Sequence, residues 1–323
     1  MAVKKQPAEK QPATAERGPA GRAAAGRRPL LRVAAVCLAV ALLLVLLGTV
    51  GVAPWAGFGS QYGGVSTIAL LGVALAAAVV LATLLRLQWR PLTVLQALVV
   101  AFACLVIVAI FPPRWLLDCF HNPAGPIFYF ETHEPLVALT IDDGVHPDTT
   151  PLVLDALAER GAKATFFVLS DTLDANRELV ERILQAGHEL ANHQTVDLPL
   201  ITLPPDEAER EIVQADAALR EFVEPKWFRP GGGMATEEAI AVARRLGCPC
   251  VLGSVFPFDS HISWTAFLAA YAGERPTPGD IIVLHDGPGR GERTADALRR
   301  ALPRLSERGL RCVTLSELAD ASP

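Results

Sequence analysis

The sequence predicts an α/β protein: a distorted, incomplete (β/α) barrel of about seven strands, preceded by three transmembrane helices. Hydrophobic residues make up 51% of the 323 residues, which is too many for a soluble enzyme, and the excess lies before residue 112. From residue 136 onward, short apolar runs alternate with segments of helical length. This alternation is typical of parallel strands that are joined by right-handed helical crossovers.

The predicted membrane segment, 33–111, contains three apolar stretches without a charged residue, at 33–53, 65–85 and 92–111. Each has about 20 residues, enough for a helix to cross roughly 30 Å of hydrocarbon. The first stretch is too long for the core of a signal peptide, and further spans follow it. We therefore expect a multi-pass protein of the inner (cytoplasmic) membrane, with the lipid bilayer as a partner.

The distribution of charge predicts the orientation of these spans. Residues 1–32 contain eight Lys or Arg residues against two acidic ones, and we interpret them as a disordered basic tail in the cytoplasm. Arg86 and Arg90 place the link between the second and third spans on the same side. The remaining chain, a linker at 112–135 and a catalytic domain at 136–323, is then extracytoplasmic. Its excess of acidic residues argues against nucleic acid as a partner.

Seven apolar runs are predicted to be strands, and six segments between them are predicted to be helices. Glycines follow several helix candidates, where a left-handed residue commonly ends a helix. The strand runs are 136–141, 164–169, 189–192, 227–229, 250–255, 280–284 and 311–315, and the helix candidates lie near 149–160, 175–186, 205–222, 236–246, 263–272 and 293–308.

Charged side chains and histidines stand at or just after the ends of these runs. The carboxyl ends of the strands in a parallel barrel open on one face, where catalytic groups collect. We therefore expect these residues to share one site. In chain order they are Asp142 with Asp143, His193, Arg229, Asp259, and His285 with Asp286.

The residue types and spacings in this set suit metal-assisted hydrolysis. His193 and Asp197 are spaced i, i+4, so on one helical turn both could bind an ion together with Asp143. Three such ligands with an open fourth position indicate catalytic Zn²⁺, with Co²⁺ or Ni²⁺ as alternatives. His285 could serve as a general acid, and the glycines after Arg229 could bind an oxyanion. Taken singly, the Asp pair is more typical of a solvated turn, and a His and Asp pair is more typical of a surface contact.

In their order, the motifs resemble the polysaccharide deacetylase family, also called the NodB-homology or carbohydrate esterase 4 family, over roughly residues 136–318. The resemblance implies a hydrolase that removes an N-acetyl group from an amino sugar in a polysaccharide, peptidoglycan or chitooligosaccharide outside the cytoplasm. The segments that carry it are Thr140-Ile141-Asp142-Asp143-Gly144, Thr165-Phe166-Phe167, Gly187-His188-Glu189, Asn192-His193, Arg229-Pro230, Asp259 and Val283-Leu284-His285-Asp286.

The resemblance also implies roles for individual residues. Asp142 corresponds to the catalytic base and His285 to the general acid, while Arg229 positions the base. Asp259 stands where the family has an Asp that would tune Arg229 or His285. The full implied site consists of the catalytic set Asp142, His285, Arg229 and Asp259, the metal ligands Asp143, His193 and Asp197, and Gly232, whose backbone N–H would bind the oxyanion.

The sequence departs from the family pattern at three places. Asp197 replaces the second metal-binding His, Gly231–Gly232 replace a Pro-aromatic pair, and Ser260 replaces a Trp. Two alternatives stay open: a deformylase or deacylase of a lipid-linked amino sugar, which would explain the multi-span anchor, and a catalytically inactive membrane-bound glycan-binding relic, which the altered motifs suggest. Activity on soluble against lipid-linked sugars distinguishes the first alternative from the deacetylase, and metal content distinguishes the relic from both enzymes.

Overall fold

The structure is a computed structural model that describes residues 98, 101–102, 105, 112–119 and 123–323. The predicted tail at 1–32 and the first two predicted spans lie outside these residues, as does the third span apart from four positions. Among the described residues, none belongs to a helix long and apolar enough to cross a bilayer. The membrane anchor and the domain boundaries therefore stay predictions.

A five-stranded parallel sheet forms the centre of the described part, as the alternating pattern predicts. Its order is β3-β2-β1-β4, and β5 pairs with the first residues of β1. The pairing between β1 and β4 sets the ends of these two strands side by side. The strands are β1 (Leu136–Gly144), β2 (Thr165–Val168), β3 (Glu189–Asn192), β4 (Ile281–His285) and β5 (Arg311–Val313).

The fourth and fifth predicted strands form isolated bridges instead of strands. Phe228 bridges Asn192 at the end of β3 and also Cys250, while Val255 bridges β4. These contacts connect β3 to β4 through two irregular segments. Within the described residues, the predicted barrel of about seven strands is therefore corrected to five strands, with the fourth and fifth predicted strands reduced to bridged segments.

All six predicted helices are present close to their predicted bounds. Two further short helices lie at 114–118 and at the end of the chain. The helices of residues 112–323 are α1 (Arg114–Asp118), α2 (Thr150–Ala158), α3 (Arg177–Gln185), α4 (Pro205–Leu219), α5 (Glu237–Arg245), α6 (Thr265–Glu274), α7 (Gly291–Glu307) and α8 (Leu315–Asp320), with 3-10 turns at Ser170–Thr172, Asp174–Asn176, Leu200–Thr202 and Gly231–Gly233.

The two faces of β1 contribute to different clusters of the core. Leu139 and Ile141 are buried in the cluster that also contains side chains of α2 and α7. Ala138 packs in a second cluster with Phe167 of β2. Because successive side chains of a strand point to opposite faces, Asp142 lies on the same face as Ala138. Asp142 thus places a carboxylate near the carboxyl end of the strand, on the face that packs in the second cluster.

Candidate active site

Asp142 lies at the carboxyl end of β1 and is paired with Arg229. Arg229 Nη1 lies 2.5 Å from Asp142 Oδ1 and donates to Thr140 Oγ1 at 2.8 Å. Arg229 Nε donates to the Val251 carbonyl at 3.0 Å, and the guanidinium carbon lies 4.1 Å from the centroid of the Phe167 ring. The Arg229 side chain is only 2% exposed. It is therefore fixed on several sides and holds the carboxylate of Asp142 in one position.

His285 lies at the end of β4 and is the register partner of Asp142. Its Nδ1 lies 2.8 Å from Asp259 Oδ1, and its backbone N–H donates to Asp259 Oδ2 at 2.7 Å. Burial by itself would lower the pKa of His285. The hydrogen bond and charge of Asp259, with the charges of Asp142 and Asp143, outweigh burial and raise that pKa to about 9. The imidazole consequently carries its proton at neutral pH.

His193 follows β3, is buried, and faces Asp143. Its Nδ1 lies 2.8 Å from the Arg229 carbonyl oxygen, which can only accept, so Nδ1 carries a hydrogen. Its Nε2 therefore faces Asp143 Oδ1, at 3.2 Å. Burial would raise the pKa of Asp143, but the hydrogen bond and charge of His193, with the charges of His285 and Arg290, lower it to about 2. Asp143 and His193 thus form a close, buried pair.

Asp197 does not join this pair. The segment after His193 consists of bends, so the predicted helical turn that would align the two side chains is wrong. Gln194 has a φ of 64°, and its side-chain nitrogen donates to the carbonyls of Val196 and Leu198, each at 2.7 Å. These bonds stabilise an open loop in place of a helix. The side chain of Asp197 is 54% exposed.

The three predicted metal ligands therefore do not fit a three-ligand site in this arrangement. Among residues that the structure describes, no group of three His, Cys, Asp or Glu side chains is placed to hold an ion. The side chain of Arg290 lies between Asp143 and Asp197. Its Nη1 is 2.9 Å from Asp143 Oδ2, and its Nη2 is 3.8 Å from Asp197 Oδ2. We accordingly assign no reaction step to a metal.

Arg290 is the site residue that the sequence interpretation missed. It follows the motif of His285 and Asp286 in a Gly-Pro-Gly-Arg segment, and it immediately precedes α7. A basic residue in a glycine-rich loop directly after a predicted catalytic motif was the available signal. No strand ends at this residue, so the strand-end argument could not identify it.

Gly232 is an exposed residue of the 3-10 turn after Arg229, at a φ of 71° that favours glycine. A Cβ added at this position would lie 3.2 Å from the Cβ of Pro199. The neighbouring Gly231 N–H donates to the Gln194 side chain at 2.9 Å, which ties the turn to the loop that follows His193. The turn is therefore near the site, while a bond from the Gly232 amide to an oxyanion stays a prediction.

Backbone strain is concentrated at these residues. In the described part of the chain, the non-glycine residues with positive φ are Asp143, Gln194 and Phe258. Gln194 follows His193, and Phe258 precedes Asp259. Such conformations cost of the order of 1–3 kcal/mol each and persist where the surrounding structure enforces them. Their coincidence with the predicted site residues is typical of a functional site.

The fold and these side chains define a class of protein. A buried carboxylate and a protonated imidazole stand on neighbouring parallel strands, at the strand ends, and each is held by a partner of opposite charge. The hydrolysis of an amide or ester requires one group that takes a proton from water and another that donates a proton to the leaving group. This arrangement is typical of an α/β hydrolytic enzyme.

Comparisons with known proteins identify the family. The polysaccharide deacetylase model matches residues 130–251. A peptidoglycan-N-acetylglucosamine deacetylase of Bacillus cereus is 34% identical over 201 residues, which cover 61% of this chain and 94% of that protein. A chitooligosaccharide deacetylase of Bradyrhizobium sp. is 32% identical over 196 residues, with 56% and 90% covered. The chain belongs to the polysaccharide deacetylase family, and it is a deacetylase hydrolase.

A solved structure agrees with this assignment. The crystal structure of the Bc1960 peptidoglycan N-acetylglucosamine deacetylase aligns with a TM-score of 0.56 at 30% sequence identity, over 59% of this chain and 91% of that one. The parallel-sheet α/β architecture described above is thus compatible with the barrel of this family. Deacetylases of the family are generally metal-dependent, which makes the position of Arg290 between two predicted ligands notable.

Proposed function

We propose that the protein removes the acetyl group from the nitrogen of an amino sugar in an extracytoplasmic glycan, such as peptidoglycan or a chitooligosaccharide. Relatives with these substrates in their names support the choice of substrate. The observation that carries the proposal is the register pairing of Asp142 with His285, which sets a base and an acid side by side. We also propose that the three predicted spans hold the enzyme at the outer face of the cytoplasmic membrane.

The reaction needs one proton removed and one proton delivered. Asp142, held by Arg229, takes a proton from water as the water oxygen attacks the amide carbonyl. The Gly232 N–H stabilises the negative charge that develops on the carbonyl oxygen. His285, held through Nδ1 by Asp259, donates a proton from Nε2 to the departing nitrogen as the C–N bond breaks. The products are acetate and a free amino sugar.

The cofactor prediction stays separate from these steps. Zn²⁺, with Co²⁺ or Ni²⁺ as alternatives, follows from the donor types of Asp143, His193 and Asp197. Because these side chains do not form a three-ligand set in the structure, the steps above use only groups that the chain itself supplies. The assays below are therefore run both with a chelator and with each ion added.

The purified full-length chain is expected to release acetate and free amine in equal amounts from N-acetylglucosamine oligomers or from peptidoglycan. His285→Gln is expected to lower the rate about 100-fold, because general acid catalysis contributes roughly 10²–10⁴. Acetate is measured enzymatically and the amine by a fluorescent label, in detergent.

His133→Gln serves as the matched control, because His133 is exposed and lies just before β1, at the opposite end of the strand from the site. It should leave the rate unchanged. Wild-type protein that releases acetate from neither substrate under any of the metal conditions would contradict the proposed function.

The pH dependence of the reaction is expected to follow the proton on His285. The acid form is required and its pKa is about 9, so activity should be lost as the pH rises through about 9. Asp259→Asn removes the charge that raises this pKa and leaves the burial that lowers it, so the alkaline limb should move toward the ordinary value of about 6.5.

The measurement is the pH profile of kcat/KM, supported by an NMR titration of the His285 ring in chelated protein. Asp296→Asn, on the exposed face of α7 and paired with Arg300, is the control and should keep the wild-type profile. An alkaline limb at the same pH in Asp259→Asn and wild type would disprove the assigned role of Asp259.

A further inference from the structure

Arg290 occupies a defined place between two carboxylates. Its backbone N–H donates to the Gly287 carbonyl at 3.1 Å, and its carbonyl accepts from Thr294 N–H at 2.9 Å, which anchors the residue at the start of α7. A Cβ added to Gly287 would lie 3.4 Å from Arg290 Nη2. This is an ordinary van der Waals distance, so the guanidinium lies directly beside the loop. The side chain is 26% exposed, against 5% for Asp143.

The guanidinium meets Asp143 and Asp197 with different strength. The 2.9 Å contact with Asp143 Oδ2 is a close ion pair, and the carboxylate is buried. The 3.8 Å contact with Asp197 Oδ2 is an ion pair at longer range, on a half-exposed side chain. Both contacts point the positive charge into the space that the three predicted ligands would have to surround.

The carboxylate at position 197 and the arginine at position 290 are complementary in charge. Asp143 and His193 of the predicted ligand set are buried, and the buried carboxylate needs a positive charge nearby to be stable. A carboxylate can accept from a guanidinium through either oxygen, whereas a neutral imidazole offers only one acceptor nitrogen. At position 197 an Asp is therefore a better partner for Arg290 than a His would be. Arg290 in turn supplies a positive charge that a divalent ion would otherwise supply.

We propose that Arg290 is a built-in competitor of divalent metal, whose guanidinium occupies the space between Asp143 and Asp197 so that an ion binds there only when the guanidinium leaves. A guanidinium stays protonated at every pH at which the protein is folded. The competition therefore cannot be relieved by titration, and only movement of the side chain or loop opens the site. This inference deepens the proposed function at the same site and rests on it for the relevance of a metal.

Metal affinity tests this proposal. The full-length chain is first freed of metal with a chelator, and its binding of Zn²⁺ alone and of Co²⁺ alone is then measured by isothermal titration calorimetry. Arg290→Gln keeps much of the length and polarity of the side chain and removes the charge. It is expected to bind each ion about tenfold more tightly than wild type, or better. Arg299→Gln, within α7 and paired with Glu159, is the matched control and should bind as wild type does.

Adding Asp143→Asn to Arg290→Gln should abolish the gain, because the shared partner of the two cations is then lost. Equal or weaker metal binding by Arg290→Gln would overturn the proposal, and so would a gain of the same size in Arg299→Gln. Acetate release is not part of this measurement. A failed metal result therefore leaves the deacetylase proposal intact, and a failed acetate assay leaves the affinity comparison interpretable.

Discussion

Asp142→Asn is expected to lower the rate of acetate release about 1,000-fold or more, equivalent to about 4 kcal/mol of transition-state stabilisation. The amide has the shape of the carboxylate, and its oxygen can still accept from Arg229 Nη1. Because an amide cannot take a proton from water, the base is lost while the pairing is kept. Initial rates at saturating oligomer, with a melting temperature close to that of wild type, would establish that the loss is chemical.

Asp148→Asn is the control for this variant. Asp148 is an exposed carboxylate a few residues after the end of β1, and we expect its neutralisation to change the rate less than twofold. The assigned role of Asp142 would be refuted by an Asp142→Asn enzyme that retains more than a tenth of the wild-type rate. A melting temperature that falls by many degrees would instead show that the two oxygens of Asp142 are needed for folding.

The parts of the site that could be predicted from sequence are those that strand geometry fixes. The ends of parallel strands meet at one edge, so Asp142 and His285 could be expected to be neighbours before any coordinates were known. The buried helices were predictable for a similar reason, since long periodic segments have little conformational freedom once one face is buried. Both predictions depend on regular backbone.

The misassigned parts depend on irregular backbone and on proline. Pro230 follows one predicted strand and Pro249 interrupts the approach to another, and neither supplies the backbone N–H that a ladder needs. Phe228 and Cys250 consequently pair only through single bridges. A run of apolar residues predicts burial in these segments correctly, but it does not predict how many hydrogen bonds they form.

Asp197, the third predicted metal ligand, lies apart from Asp143 and His193 for a local reason as well. The i, i+4 spacing aligns the side chains of His193 and Asp197 only on a helix. The side chain of Gln194 instead donates to two carbonyls of the following segment and stabilises that segment as a loop. Arg290 comes from the loop before α7 and contacts the site by the length of its side chain. Neither the bond pattern of a glutamine nor the reach of an arginine is encoded in the periodicity of a sequence.

Arg229→Met is expected to destabilise the protein by about 3–5 kcal/mol, because it leaves the carboxylate of Asp142 buried without its charged partner. Both side chains of the pair are at most 4% exposed, so water cannot replace the guanidinium. The variant also removes the donors that Thr140 Oγ1 and the Val251 carbonyl use. Thermal unfolding followed by circular dichroism should show a melting temperature about 10 °C lower or more.

Two further variants separate the buried charge from lost packing. Arg300→Met breaks an exposed i, i+4 pair with Asp296 and should cost no more than about 0.5 kcal/mol. Adding Asp142→Leu to Arg229→Met removes the unpaired charge, and we expect this double variant to recover part of the lost stability although it has no catalytic base. If the double variant were no more stable than Arg229→Met, the cost would lie in packing against Phe167, and the pair would matter for catalysis alone.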